Sequence, residues 1–162
     1  MGVSHNSVIS KNTQHLNIPG ISSVIINGER AIRIEAMAKR FITNKYINCL
    51  HNICYYWNNS YYILDTLIGH VVIKQRDDYS MEWTLTDTSL AWLFKKMHLN
   101  KCEDGYVSHI PCGFWKPIAT LFGKKSETLR KLVYNKFTFG GKSQDIGILN
   151  TILNENNINL CA

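Results

Sequence analysis

The spacing of apolar residues divides the chain into an alternating stretch and several segments of helical period. Ser22-Ser23-Val24-Ile25-Ile26 and Arg30-Ala31-Ile32-Arg33-Ile34 flank Asn27-Gly28, a dipeptide suited to positive φ, and predict a β-hairpin over 22–34. From Glu35 to His51, Met37, Phe41, Ile42, Tyr46 and Leu50 fall at helical spacing with Lys39, Arg40 and Lys45 on the other side, predicting one amphipathic helix. The aromatic and β-branched runs Cys54–Trp57 and Tyr61–Leu64 around Asn58-Asn59-Ser60 predict a second pair of strands, with His70–Lys74 as a further one. Thr86 or Asp87 is placed to cap a helix through Leu90, Leu93, Phe94 and Met97 to about His98, and a last helix is expected over Asp145–Glu155.

Polar stretches supply the divisions. The first twenty residues end in Ile18-Pro19-Gly20 and predict a mobile arm, Arg76–Ser80 marks a domain boundary, Cys102–Pro111 reads as a loop, and the final NENNINLCA as a frayed end. The expected fold class is α+β: a small N-terminal sheet with a helix over 21–78, serving dimerisation or sensing, then a helical region over 79–162 containing a helix-turn-helix.

That motif is expected at 116–136, KPIATLFGKKSETLRKLVYNK. Two helices meeting at a sharp angle need a small residue in the first and, four residues on, one that tolerates left-handed backbone; Ala119 and Gly123 stand at those places. Ile118, Phe122, Leu129 and Leu132 supply the apolar contact between the two helices. Ser126 is suited to cap the second helix, and Pro117 to its expected place near the start of the first, where its missing N–H has no helical partner.

Charge sharpens this picture. The chain carries 18 Lys+Arg against 12 Asp+Glu, a net charge of +6. Between Phe114 and Lys142, seven bases (Lys116, Lys124, Lys125, Arg130, Lys131, Lys136, Lys142) meet one acid, Glu127, so this window holds the whole excess and the rest is neutral. A local field of this kind favours phosphate through counterion release. Lys124, Lys125 and Lys131 are expected on phosphates, Arg130 and Asn135 on base edges, and Ser126 at the same surface.

The run resembles the helix-turn-helix of bacterial regulators and DNA invertases through Ile118, Ala119, Phe122, Gly123, Thr128, Leu129 and Arg130, over about a fifth of the chain. The resemblance implies a DNA-binding element and assigns no subfamily. A non-enzymatic, sequence-specific transcriptional regulator is therefore expected, binding double-stranded DNA as a homodimer, since one such helix reads too few base pairs to select a site alone. A protein partner through the N-terminal region is a further expectation. The alternative is an accessory or adaptor protein of a bacterial secretion or conjugation system that docks the same basic helix on an acidic protein.

Other chemistry is sparse. Cys49, Cys54, Cys102, Cys112 and Cys161 form an odd set without repeated spacing, which predicts reduced thiols rather than a disulfide framework. His98-x3-Cys102 and His109-x2-Cys112 match no defined zinc module, Gly140-Gly141-Lys142-Ser143 lacks the first glycine of a phosphate loop, and carboxylates form no acid–base pair, so neither metal nor cofactor is expected. The tyrosines and Trp57 between 55 and 62 are read as core and strand packing. With no apolar run of about 20 residues and no secretory signal, the expected location is the cytoplasm. Abundant Ile, Asn, Lys and Tyr point to an A/T-rich gene, such as one on a bacterial island, plasmid or phage.

Overall fold

A computed structural model describes residues 14–26, 29–34, 44–57, 60–101, 112–134 and 144–160. Within them the order is β1 (Ile21–Ile26), β2 (Glu29–Ile34), α1 (Lys45–Tyr56), α2 (Ser60–Gly69), β3 (Ile73–Gln75), β4 (Met81–Trp83), α3 (Asp87–Lys101), α4 (Cys112–Phe122), α5 (Ser126–Tyr134) and α6 (Gln144–Glu155). The architecture is α+β, with two separate two-stranded sheets among mainly helical elements. In the first sheet β1 pairs antiparallel with β2 from Ile21↔Ile34 to Ile26↔Glu29, the hairpin expected from the Asn27-Gly28 dipeptide, which itself lies outside the described residues.

The single helix expected over 35–51 is corrected. Asn44 has extended backbone (φ −80°, ψ 122°), and its Oδ1 accepts the N–H groups of Tyr46 at 2.8 Å and Ile47 at 3.1 Å, so a new helix starts at Lys45. It runs on to Tyr56, while residues 35–43 lie outside the described set. The strands expected at 54–57 and 61–64 are corrected too: the first stretch ends α1 and the second begins α2. The winning pattern is the helical one. Ile47, Leu50, Ile53, Cys54 and Trp57 recur at offsets of three and four and are all buried, as are Ser60, Ile63, Leu64, Leu67 and Ile68 on α2.

The strand expected at 70–74 is displaced to β3, which pairs with β4 through Ile73↔Trp83, Lys74↔Glu82 and Gln75↔Met81. The polar stretch 76–80 forms the turn between them. Arg76 N–H donates to the Ser80 carbonyl at 2.8 Å, and Ser80 donates through its backbone N–H and hydroxyl to Asp78 Oδ1 at 2.9 and 2.6 Å. Those two bonds hold the exposed Asp78 carboxyl below the ordinary carboxylate range. One buried cluster continues on both sides of this turn, from Leu16 and Leu50 to Leu149 and Leu153, so 76–80 bends the chain within a shared core.

Both chain ends of the described structure are anchored. Leu16 and Ile18 are buried; the Leu16 N–H donates to Asp65 Oδ1 at 2.8 Å, and Asn17 and Gln75 exchange two 2.9 Å bonds between backbone and side-chain amide. His51 Nε2 lies 2.7 Å from the Pro19 carbonyl. Part of the arm expected over 1–20 is therefore a strap laid on α1, α2 and β3. At the other end, Ile158 and Leu160 pack against the core, which corrects the fraying expected there.

Candidate nucleic-acid interface

α4 begins at Cys112, upstream of the expected start, which puts Pro117 at its sixth residue instead of its first turn. The helix continues without the N–H that would have reached the carbonyl of Gly113. Its far end follows the expected chemistry. Gly123 has φ +67°; its N–H donates to the Thr120 carbonyl at 3.4 Å, and the Lys124 N–H to the Ala119 carbonyl at 2.8 Å. This pair of bonds is the Schellman closure, which needs left-handed backbone at its centre. A Cβ at Gly123 would meet nothing within 4 Å, so backbone conformation and not crowding selects glycine.

The second helix starts with Lys125 rather than Ser126 at the capping position, since the Lys125 carbonyl accepts the Leu129 N–H at 3.3 Å and Ser126 is the first helical residue. α5 packs against both α3 and α4, and α4 also touches α1 and β4. Of the six residues expected to form the motif's core, Ile118, Ala119, Phe122 and Leu129 are buried, Gly123 is the bend, and Leu132 is only partly covered. Val133, one turn beyond Leu129, takes the buried place instead. Its i,i+4 offset was available in the sequence. Trp115 and Leu121 complete the buried side of α4, and the Phe122 ring meets Trp83 edge-on at 5.9 Å and Phe94 at 6.2 Å.

The expected DNA-facing residues occupy unlike settings. Lys125 and Lys131 are exposed, Ser126 and Arg130 are half-buried, and Asn135 lies outside the described residues, as do Lys136 and Lys142. Lys124 Nζ is 2.7 Å from Asp87 Oδ1 in the first turn of α3, with side chains 28% and 40% exposed. Asp145 closes the same end of α3 by accepting the Thr86 N–H at 2.8 Å. Lys131 Nζ is 3.4 Å from Glu127 Oε1 one turn earlier. The solvent side of α5 is thus Glu127, Thr128 and Lys131, flanked by Lys125, with its apolar side locked down. Neither Asp87 nor Thr128 was singled out as a surface residue by the sequence.

Away from this helix pair, His98 is buried and stacks on Tyr56 at 6.1 Å, while Cys102 and His109 lie outside the described residues. No group of three or more His, Cys, Asp or Glu side chains among the described residues is placed to hold a metal ion. Cys49 and Cys54 are buried free thiols; burial pushes Cys54 up to about 11, against a weaker opposing effect of the Ser60 hydrogen bond. Of the aromatic residues between 55 and 62, Tyr55 and Tyr56 lie on α1, Tyr61 and Tyr62 on α2, and Trp57 caps α1: Trp57 is buried, Tyr56, Tyr61 and Tyr62 are half-buried, and Tyr55 is 76% exposed. No described helix is long and apolar enough to cross a membrane. Comparison with protein-family models, with curated proteins and with solved structures gave no match to this chain.

Proposed function

We propose that this chain is a sequence-specific DNA-binding transcriptional regulator, with α4, Gly123 and α5 acting as a helix-turn-helix and α5 entering the major groove. One observation carries the reading: α5 is fixed by its buried Leu129 and Val133 while Lys125, Glu127, Thr128 and Lys131 face solvent. A rigidly held helix with a cationic outer side suits a groove lined by phosphates. The concentration of the chain's positive excess in residues 114–142 adds to it. Lys125 and Lys131 serve phosphates directly, and Lys124 does so on leaving Asp87. Two copies bind together, because two-fold symmetry doubles a readout that one short helix makes too weak.

The test is selection from a randomised duplex library, followed by titration of the selected duplex at several salt concentrations. A recurring sequence should emerge, affinity should fall steeply with salt, and Lys125→Ala should weaken binding to selected and random duplex alike while lowering the salt slope by about one. Retention no stronger than that of a simple cation exchanger, with no selected sequence, would reject the regulator and leave an accessory protein that docks α5 on an acidic protein surface.

A further inference from the structure

Glu127 is the one acid among seven bases between residues 114 and 142, and it stands in the first turn of α5, on the side turned to solvent. Its carboxylate is 66% exposed and its counterpart Lys131 is 72% exposed at 3.4 Å. An exposed pair at i,i+4 and the positive end of α5 each favour an acid there only modestly, so the fold gives limited reason for one. Against phosphates the same carboxylate is repelled. The groove floor offers it a complementary group, because the amino group of cytosine N4 projects into the major groove as a donor and glutamate accepts from it.

The orientation of α5 supports this role. With Leu129 and Val133 buried, and Arg130 half-buried toward the flank, the residues on the outermost side are Glu127, Thr128 and Lys131. Glu127 and Thr128 are the second and third residues of the helix, and the N-terminal residues of a groove-inserted helix are those that reach base edges. We propose that Glu127 determines specificity by accepting a hydrogen bond from a cytosine amino group, with the Thr128 methyl and hydroxyl beside it. The Arg130 side chain then serves the rim of the contact and not its centre. This rests on the DNA-binding reading above.

Selection from a randomised duplex library with the parent, Glu127→Ala and Glu127→Gln tests it. The parent should select cytosine at one fixed position of each half-site. Glu127→Ala should lose discrimination there by about five- to 150-fold. It should also bind random duplex at least as tightly as the parent, since a negative charge has left the phosphate-facing side. Glu127→Gln should move the preference toward adenine, whose N6 and N7 suit an amide. Equal melting temperatures for the three proteins separate recognition from folding. If the parent selects a sequence and Glu127→Ala selects the same base with equal strength, the role of Glu127 is overturned alone. If the parent selects nothing, the regulator reading falls and the assignment of Glu127 falls with it.

Discussion

Three helices close in the same way with three different residues at the left-handed position. Val71 (φ 61°), Gly123 (φ 67°) and Asn157 (φ 58°) each stand just beyond a helix, and the next N–H returns to a carbonyl five residues back: Val72 to Leu67, Lys124 to Ala119, Ile158 to Leu153. Glycine and asparagine adopt this backbone readily, whereas a β-branched valine pays a steric penalty of about 1–2 kcal/mol. Val71 is retained at the point where α2 must turn sharply into Val72 and β3, whose buried side chains Val72 and Ile73 fix the path. Val71→Gly should therefore relieve more strain than the added chain entropy costs, for a net gain of up to about 1 kcal/mol and a melting temperature higher by about 2–4 °C. Gly123→Val should do the opposite by a similar amount, since the site offers space but an unfavourable φ. Thermal denaturation of both variants decides it; a fall for Val71→Gly would mean that its half-buried side chain outweighs the strain. Gly123 was legible in the sequence because glycine is the residue that a helix corner favours. Val71 was not, since nothing in a valine announces a left-handed turn.

Among the elements, the helix pair around Gly123 was legible and the pair α1–α2 was misread. Aromatic and β-branched residues at 54–57 and 61–64 favour strands in isolation, yet Ile47, Leu50, Ile53 and Cys54 on α1 and Ser60, Ile63, Leu64 and Leu67 on α2 are buried at helical offsets, and a strand would split each set between two faces. Tertiary burial of one continuous stripe outweighed local preference. The electrostatic partner of Lys124 was equally hidden, because Asp87 lies 37 positions earlier in the chain and only the packing of α5 on α3 brings them to 2.7 Å. A half-exposed pair of this kind contributes about 0.2–1 kcal/mol, little enough for a phosphate to displace it, and the positive end of α3 continues to stabilise the carboxylate after Lys124 leaves. Asp87→Asn should free one cation at the corner and raise the salt needed to elute the protein from heparin. Asp77→Asn, an equal change of charge at the exposed β3–β4 turn, provides the comparison. Equal shifts for the two variants would show that Asp87 does not hold Lys124 back.

For the molecule as a whole, the strap at 14–19 decides how much of the N-terminus belongs to the core. Leu16 and Ile18 join the same buried cluster as α2 and α3, and Asp65 and Gln75 receive the strap's backbone groups. Leu16→Ala should cost about 2 kcal/mol or more, seen as a lower denaturant midpoint, where a mobile arm would show no change. By itself the sequence determined the elements whose signals are local: the β1–β2 hairpin about Asn27-Gly28, the helix opened by Thr86, the bend at Gly123 and the concentration of positive charge around it. Turn geometry, capping and charge density depend on residues a few positions apart, so their physics is complete within a short window. The tertiary structure alone decided that 54–56 and 60–64 are helical, that 76–80 turns within one core, that Asp87 holds Lys124, and that Thr128 rather than Arg130 joins Glu127 on the outermost side. Each of those outcomes depends on which apolar surfaces meet across long stretches of chain, and burial is settled by the packed whole.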